Sequence, residues 1–335
     1  MSFRPFLILS LLLVLGVGIF FTLLRINHKT LKSSLSNKSY NVKEAAEKKA
    51  LSSVTLNTKA NSGEQLSFNY TPEKPVNGIL KGVVEIGSIG FNAFVIHVDK
   101  EKRWELIYKD FGVSLVYEGM TTAADIESGI DKYMKNLFDN AVRKEDVHFI
   151  ISSGAQKAPN IQNILAALEK KGFRIYSVNP DEEARFAFLA AVPSLFRRES
   201  FVVDIGSGNT KIAWLENSII HTEESAGSKY YQSKVPDSIV YNDIKQKIST
   251  IPAVQRAKCF ILGGVPYLMA NLHRAGEERY TLLQKPINYG SKNERAACGL
   301  NIYKALTESS GGNMFIFDWN ANFSIGYLLN LKENN

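Results

Sequence analysis

The chain has 335 residues, 45% of them hydrophobic, with 40 Lys/Arg against 33 Asp/Glu and a formal net charge of +7. That length and composition allow two packed domains and exclude a disordered or repeat protein. Ten Lys/Arg and four Glu fall in residues 1–80, so +6 of the charge sits there; the nearly neutral remainder excludes a nucleic-acid-binding stripe. Cys259 and Cys298 stand far apart and form no CxxC pair, so neither a zinc site nor a disulfide framework is expected. His97 and His148 lie in apolar, strand-like runs and read as hydrogen-bonded structural imidazoles.

Phe6 to Leu24 is almost uninterruptedly apolar. At about 1.5 Å per residue its span is roughly 28 Å, the thickness of a hydrocarbon core. The run is too long for a signal-peptide core and no small-residue cleavage site follows it. It predicts a retained transmembrane helix in a 1–26 anchor, in the inner or plasma membrane. Arg4 precedes the span, whereas Arg25, Lys29, Lys32, Lys38 and Lys43 follow it, which favours the globular part in the cytoplasm, with a signal-anchor facing the other way as the alternative. Residues 27–79, rich in Ser, Asn, Lys and Thr, read as a polar, basic linker, with a short solvated helix possible at NVKEAAEKKAL.

Gly82 to Asp99 (GVVEIGSIGFNAFVIHVD) reads as a hairpin: an apolar strand, an acid (Glu85), Gly87 and Ser88, then a second strand. WELIYKDFGVSLV continues as a strand. From about Thr122, Ile126, Ile130, Met134, Leu137 and Ala141 mark the buried face of a helix. VHFIIS is a buried strand ending at Ser152, Ser153 and Gly154. A helix with Ile161, Ile164, Leu165 and Leu168 then leads through Gly172 to the strand FRIYSV. Strands alternating with helices argue for an α/β sheet.

The next helix has Asn179 at its N-cap, Pro180 at N1 and Glu182 at the capping-box position. Capping accounts for Glu182 but not for Glu183, a carboxylate in the first turn that can orient an attacking water. FVVDIGSGNTKIAWL, from Phe201 to Leu215, repeats the first hairpin. Asp204 ends its first strand, and Gly206, Ser207, Gly208, Asn209, Thr210 and Lys211 form a tip whose N–H groups can converge on an anion. Asp204 can hold a metal-bound water there. His221 to about Ile251 is polar and helix-prone. CFILGGVPYLMANL places Gly263 and Gly264 between a strand and a helix N-terminus, where an anion can approach. A helix follows from about Asn293, and FIFDWNANFSIGYLL closes the chain with a strand and a last helix or strand.

The EEAR run at Glu182, the VVDIGSGNT run at Val202, the earlier EIGSIGF at Glu85, NERA at Asn293 and the closing IFDWNANFSIGYLLNL together resemble the exopolyphosphatase and guanosine pentaphosphate phosphohydrolase family. That family belongs to the superfamily of actin, sugar kinases and heat-shock chaperone ATPases. The resemblance spans about Leu80 to Leu331. It implies an α/β fold of two ribonuclease-H-like subdomains around a cleft, 80–198 and 199–335, each carrying one phosphate hairpin. It also implies Mg2+-assisted attack of water on a phosphoanhydride, with Glu183 and Asp204 as catalytic residues and Asp204 and Glu85 near the metal. Gly87 and Ser88 match the first phosphate loop, and Ser152 to Gly154 a small polar loop at a strand end. The chain departs from the family pattern at four places. Glu85 replaces an aspartate, Ile89 an asparagine, Lys211 a glutamate, and Ser324 and Ile325 an Arg-Glu pair.

Three functions follow. The first is a membrane-anchored phosphoanhydride hydrolase acting on polyphosphate or a guanine or adenine nucleotide. The second is a regulatory protein of the same fold that binds such a ligand without turnover. The third is an actin-like assembly ATPase. A homodimer is compatible with each. The direction of Lys211 separates the first two: pointing into the cleft it favours the binder, and pointing outward the hydrolase.

Overall fold

Both hairpins form, and each lies at the centre of a sheet because both faces of its first strand are apolar. The computed structural model describes residues 53–56, 68–87, 91–111, 123–156, 161–312 and 314–332, all within one unit, Ser52–Asn335. The expected anchor, the NVKEAAEKKAL helix and Ser88 and Ile89 at the first hairpin tip lie outside the described residues. Among the described residues no helix is long and apolar enough to cross a membrane.

The first element, β1 (Val54–Leu56), lies in the stretch expected to be linker. It pairs antiparallel with β12 (Tyr289–Ser291), and Val54 is buried. Phe68 and Tyr70 of the same stretch also dock, with the Tyr70 ring 5.1 Å from that of Phe196. Two pieces of the linker are therefore built into the fold, because their apolar side chains have a core within reach.

The first sheet contains β2 (Ile79–Ile86), β3 (Phe91–Val98), β4 (Trp104–Phe111), β5 (Val147–Ile151) and β6 (Arg174–Ser177), in the order β4-β3-β2-β5-β6. Its first three strands are antiparallel, and β5 and β6 join in parallel. The second sheet repeats this with β7 (Ser200–Ile205), β8 (Asn209–Glu216), β9 (Ile219–Ala226), β10 (Lys258–Gly263) and β13 (Met314–Asp318), in the order β9-β8-β7-β10-β13. It adds β11 (Tyr280–Leu282) antiparallel at one edge. The pairing is that of the expected ribonuclease-H-like unit, present twice. The polar stretch from His221 begins in β9 rather than in a helix; its residues are mostly half-buried, as suits an edge strand.

Helices α1 (Ala123–Asp139) and α2 (Ile161–Lys170) cover one face of the first sheet. Ala141 falls beyond α1, exposed and with φ of 60°, so the buried face ends at Leu137 and Val142 packs in its place. Helices α4 (Asp237–Thr250), α5 (Gly264–Asn271) and α6 (Glu294–Ser310) cover the outer face of the second sheet. Between the two sheets lie α3 (Pro180–Ala191) and α7 (Phe323–Asn330), in one core that takes Val83 and Ile150 from the first sheet and Val202 and Phe260 from the second. The closing element is thus a helix, capped by Asn322. As expected, α3 begins with Asn179 and Glu182 in a full capping box.

The two central helices cross backbone to backbone. A Cβ added to Gly326 of α7 would lie 1.8 Å from the carbonyl oxygen of Phe186 on α3. Gly326→Ala is therefore expected to push the helices apart and cost about 3 kcal/mol, the upper end for an overpacked core. Urea unfolding checks this; an unchanged midpoint would show that the crossing relaxes freely.

Candidate functional site

The strand ends of both hairpins, the first turn of α3 and the N-cap of α7 bring Glu183 and Asp204 to one ammonium and amides to a third acid, Glu85. The register explains how. Glu85 on β2 stands opposite Asn92 on β3, and Asp204 on β7 opposite Lys211 on β8. Cross-strand neighbours share a sheet face, so each hairpin acid has a nitrogen donor beside it. On the other flank Ile86 pairs with Ile151 and Ile205 with Gly263. The next residues, Ser152 and Gly264, take matching places at the ends of β5 and β10.

Glu183 is the centre of the cluster and is fully buried. Its Oε1 accepts the Ser153 N–H at 2.6 Å, and its Oε2 accepts the Ser153 hydroxyl at 3.1 Å and Lys211 Nζ at 2.7 Å. Lys211 points inward, with 9% of its side chain exposed and Nζ 4.0 Å from Asp204 Oδ2. Burial pulls its pKa down, but Asp204, Glu183 and Glu85 outweigh this and leave it raised. Asp204 is the most open of the acids, at 14%. Glu85 Oε2 accepts from Asn92 Nδ2 at 2.9 Å and from Asn322 Nδ2 at 3.1 Å. Burial pushes its pKa up to about 7, against those two hydrogen bonds and with help from the charges of Glu183 and Asp204.

The expected phosphate contacts divide into two groups. Ser153 gives both of its donors to Glu183, and Ser152 gives its N–H to the Ile86 carbonyl. Gly206 N–H donates to the carbonyls of Asp204 and Asn209, Asn209 Nδ2 to Glu224, and buried Thr210 gives its hydroxyl to the Ala226 carbonyl. These residues tie the second hairpin to itself and to β9. Among the described residues the N–H groups of Ser207 and Gly208 have no acceptor, and a Cβ at Gly208 would meet nothing within 4 Å. Gly154 and Gly264 are exposed, and Gly87 is half-buried at the end of β2. Gly263, with φ of 105°, packs its α-carbon against the Ile205 carbonyl, where any side chain would clash.

The expected magnesium ion does not fit the residues present. The Lys211 ammonium stands between Glu183 and Asp204, and Glu85 Oε2 already accepts from two amides. Among the described residues no group of three His, Cys, Asp or Glu could hold a metal ion.

No protein-family model matches this chain, and no curated protein matches it. Its structure is similar to that of the Ppx/GppA enzyme of Aquifex aeolicus, at 18% identity and a TM-score of 0.58, over 75% of this chain and 99% of that one. A second structure of an Aquifex aeolicus Ppx/GppA family member gives 17% identity and a TM-score of 0.57, over 75% and 96%. An exopolyphosphatase from Cytophaga hutchinsonii gives 15% and 0.55, over 75% and 96%. The chain has the Ppx/GppA fold. Within that fold, the positions of the expected Arg-Glu pair hold Ser324 and Ile325, both fully buried, and Ser324 only supports its N-cap through Asn322 Oδ1 at 2.8 Å.

Three residues of the site were not anticipated: Asn92, Asn322 and Gly227. Asn92 was accessible from the repeat, because it lies seven residues after Glu85 as Lys211 does after Asp204. Asn322 carries the ordinary signal of an N-cap, which says nothing of a contact with Glu85. Gly227 lets the β9 end lie against the second tip, where a Cβ would come within 2.4 Å of Asn209 N.

Between its ordinary value near 4.5 and about 7, Glu85 keeps in the folded protein a proton that the unfolded chain releases. Its contribution to stability is therefore greatest at low pH, falls as pH rises through that window, and levels off above it. The loss is at most about 3 kcal/mol. Wild type should weaken relative to Glu85→Gln from pH 5 to pH 8 in urea titrations; a constant gap between the two would mean that Glu85 ionises like a surface glutamate.

Proposed function

We propose that this chain binds a phosphoanhydride, inorganic polyphosphate or a guanine or adenine nucleotide, between its two hairpins and holds it without hydrolysis. The observation that carries this reading is the closure of Glu183. A general base must reach the water that it deprotonates, and Glu183 is fully buried with both oxygens accepting hydrogen bonds from Ser153 and Lys211. The inward Lys211 supports the same choice. The unused N–H groups of Ser207 and Gly208 are the kind of backbone cradle that receives a phosphate oxygen. The apolar run Phe6 to Leu24 and the lysines after it support attachment to the inner or plasma membrane, with this site on the cytoplasmic side.

A second reading, hydrolysis of the same ligand, is favoured by Glu183 and Asp204 flanking one ammonium, since phosphoryl transfer relies mostly on positioning and charge neutralisation. Calorimetry with triphosphate, ATP and GTP, alongside phosphate release from polyphosphate, separates the two. Binding is expected for at least one ligand, with release no faster than from Glu183→Gln. Release that Glu183→Gln abolishes would replace the first reading by the second, and silence toward all of these ligands would reject both.

A further inference from the structure

We infer that Lys109 and Arg274, brought together on Trp319, form a second anion site that takes a further phosphate of an extended polyphosphate. The pair is assembled across the two sheets. Trp104 and Leu106 of β4 face the core between the sheets, but the pairing with β3 slips between Val95 and Ile96 and leaves Ile107 without a partner. Such a bulge reverses the alternation of a strand. Tyr108 therefore packs on the opposite face, and Lys109 is aimed at the second sheet, where its Nζ donates to the Trp319 carbonyl at 3.0 Å. From the loop after α5, the Arg274 guanidinium lies over the Trp319 ring, 3.9 Å from its centre. The ring is itself fixed, because its Nε1 donates to Thr281 Oγ1 at 2.8 Å.

Two cations are thus held on one indole with no acid between them. Among the described residues neither makes an ion pair, and Arg274 Nε is buried without a hydrogen-bond partner. The acids nearby are engaged or turned away. Asp318, whose charge is felt at Lys109, is fully buried, holds Arg279 at 3.1 Å and accepts the N–H groups of Asn320 and Ala321. Glu278 turns back to the N–H groups of Ala275 and Gly276, Glu277 is exposed, and Asp110 acts on Tyr108 across β4. Desolvation lowers the pKa of Lys109, and the Arg274 charge lowers it further, a repulsion that an oxyanion between the two relieves. A guanidinium stacked on an indole keeps its N–H edge for such an oxyanion. The position suits an extended ligand. Ile261 pairs with Phe317, so Trp319 is level with Gly263, which pairs with Ile205 at the base of the second tip. Two inter-strand steps, about 10 Å, separate Trp319 from Ile205, a distance that a chain of several phosphates spans and a single phosphate does not.

The identity of the ligand rests on the proposed function, whereas the basic pair is tested through its own residues. Calorimetry of the full chain with triphosphate and with long-chain polyphosphate is expected to show tighter binding of the long chain. Arg274→Gln and Lys109→Gln should each weaken long-chain binding by about tenfold or more, the worth of a charge-assisted hydrogen bond. Lys132→Gln, an equal loss of charge at an exposed position of α1, should leave it unchanged. Lys109 is exposed on an edge strand, so its variant decides the matter if a thermal melt shows Arg274→Gln to be unfolded. Long-chain binding that is absent, that neither variant weakens, or that Lys132→Gln weakens as much would overturn the inference; triphosphate binding in that case leaves the proposed function standing. Long-chain binding that depends on Lys109 and Arg274, with silence toward triphosphate, would keep the basic pair and remove triphosphate as a ligand of the hairpins.

Discussion

The ion pair between Lys211 and Glu183 is the constraint on which the arrangement of the centre depends. Both partners are withdrawn from water, so neither has solvent to fall back on. Such a pair is not in itself a large source of stability, because desolvating two charges offsets most of their attraction. Its force lies in the asymmetry: removing one partner strands the other, at a cost of about 3–5 kcal/mol. The pair therefore fixes where the start of α3 sits against β8, and through Ser153 it fixes the end of β5 as well.

That link is one half of an exchange between the sheets. Helix α3 follows the last strand of the first sheet, and its first turn delivers Glu183 to the hairpin of the second. Helix α7 follows β13 of the second sheet, and its N-cap delivers Asn322 to Glu85 in the hairpin of the first. Each helix lies in the shared core between the sheets, and Gly326 lets them cross closely enough for both to arrive. The acids of the two hairpins are thus coupled by the chain's own crossing helices, so that the charges of Glu183 and Asp204 are felt at Glu85.

What was legible in the sequence was local. The strand-acid-glycine order of the hairpins, the α3 capping box and the apolar period of α1 each depend on neighbours a few residues apart, and they form as expected except that the α1 period ends before Ala141. What was not legible depends on partners far along the chain. A run of Ser, Asn and Lys conceals the fact that Val54, Phe68 and Tyr70 have a core to enter. Polar composition from His221 hides β9, because a half-buried edge strand needs few apolar residues. The residue types at the second tip correctly suggested backbone turning, but Gly206 spends its N–H on that turn and Asn209 and Thr210 spend side-chain donors on β9, while the Ser207 and Gly208 N–H groups have no acceptor among the described residues.

The hairpin acids show why a motif read by residue type differs from one read by charge. Glu85 and Asp204 occupy equivalent places in the two sheets, yet the register pairs one with an amide and the other with an ammonium. Amide bonds satisfy an oxygen without supplying charge, so burial governs Glu85 and it drifts toward neutrality near pH 7. Lys211 does supply charge, and the acids around it raise its pKa, so the second hairpin carries an ammonium where the first carries an amide. The site is consequently polarised: an acid half-protonated near pH 7 on one side, a self-neutralised pair at the centre, and Asp204 as the most exposed acid, in the hairpin whose tip carries the N–H groups of Ser207 and Gly208. Under the proposed function, a phosphate at this site would meet directed backbone donors more than bare charge. Shape at the second tip would then select it more sharply than electrostatic attraction.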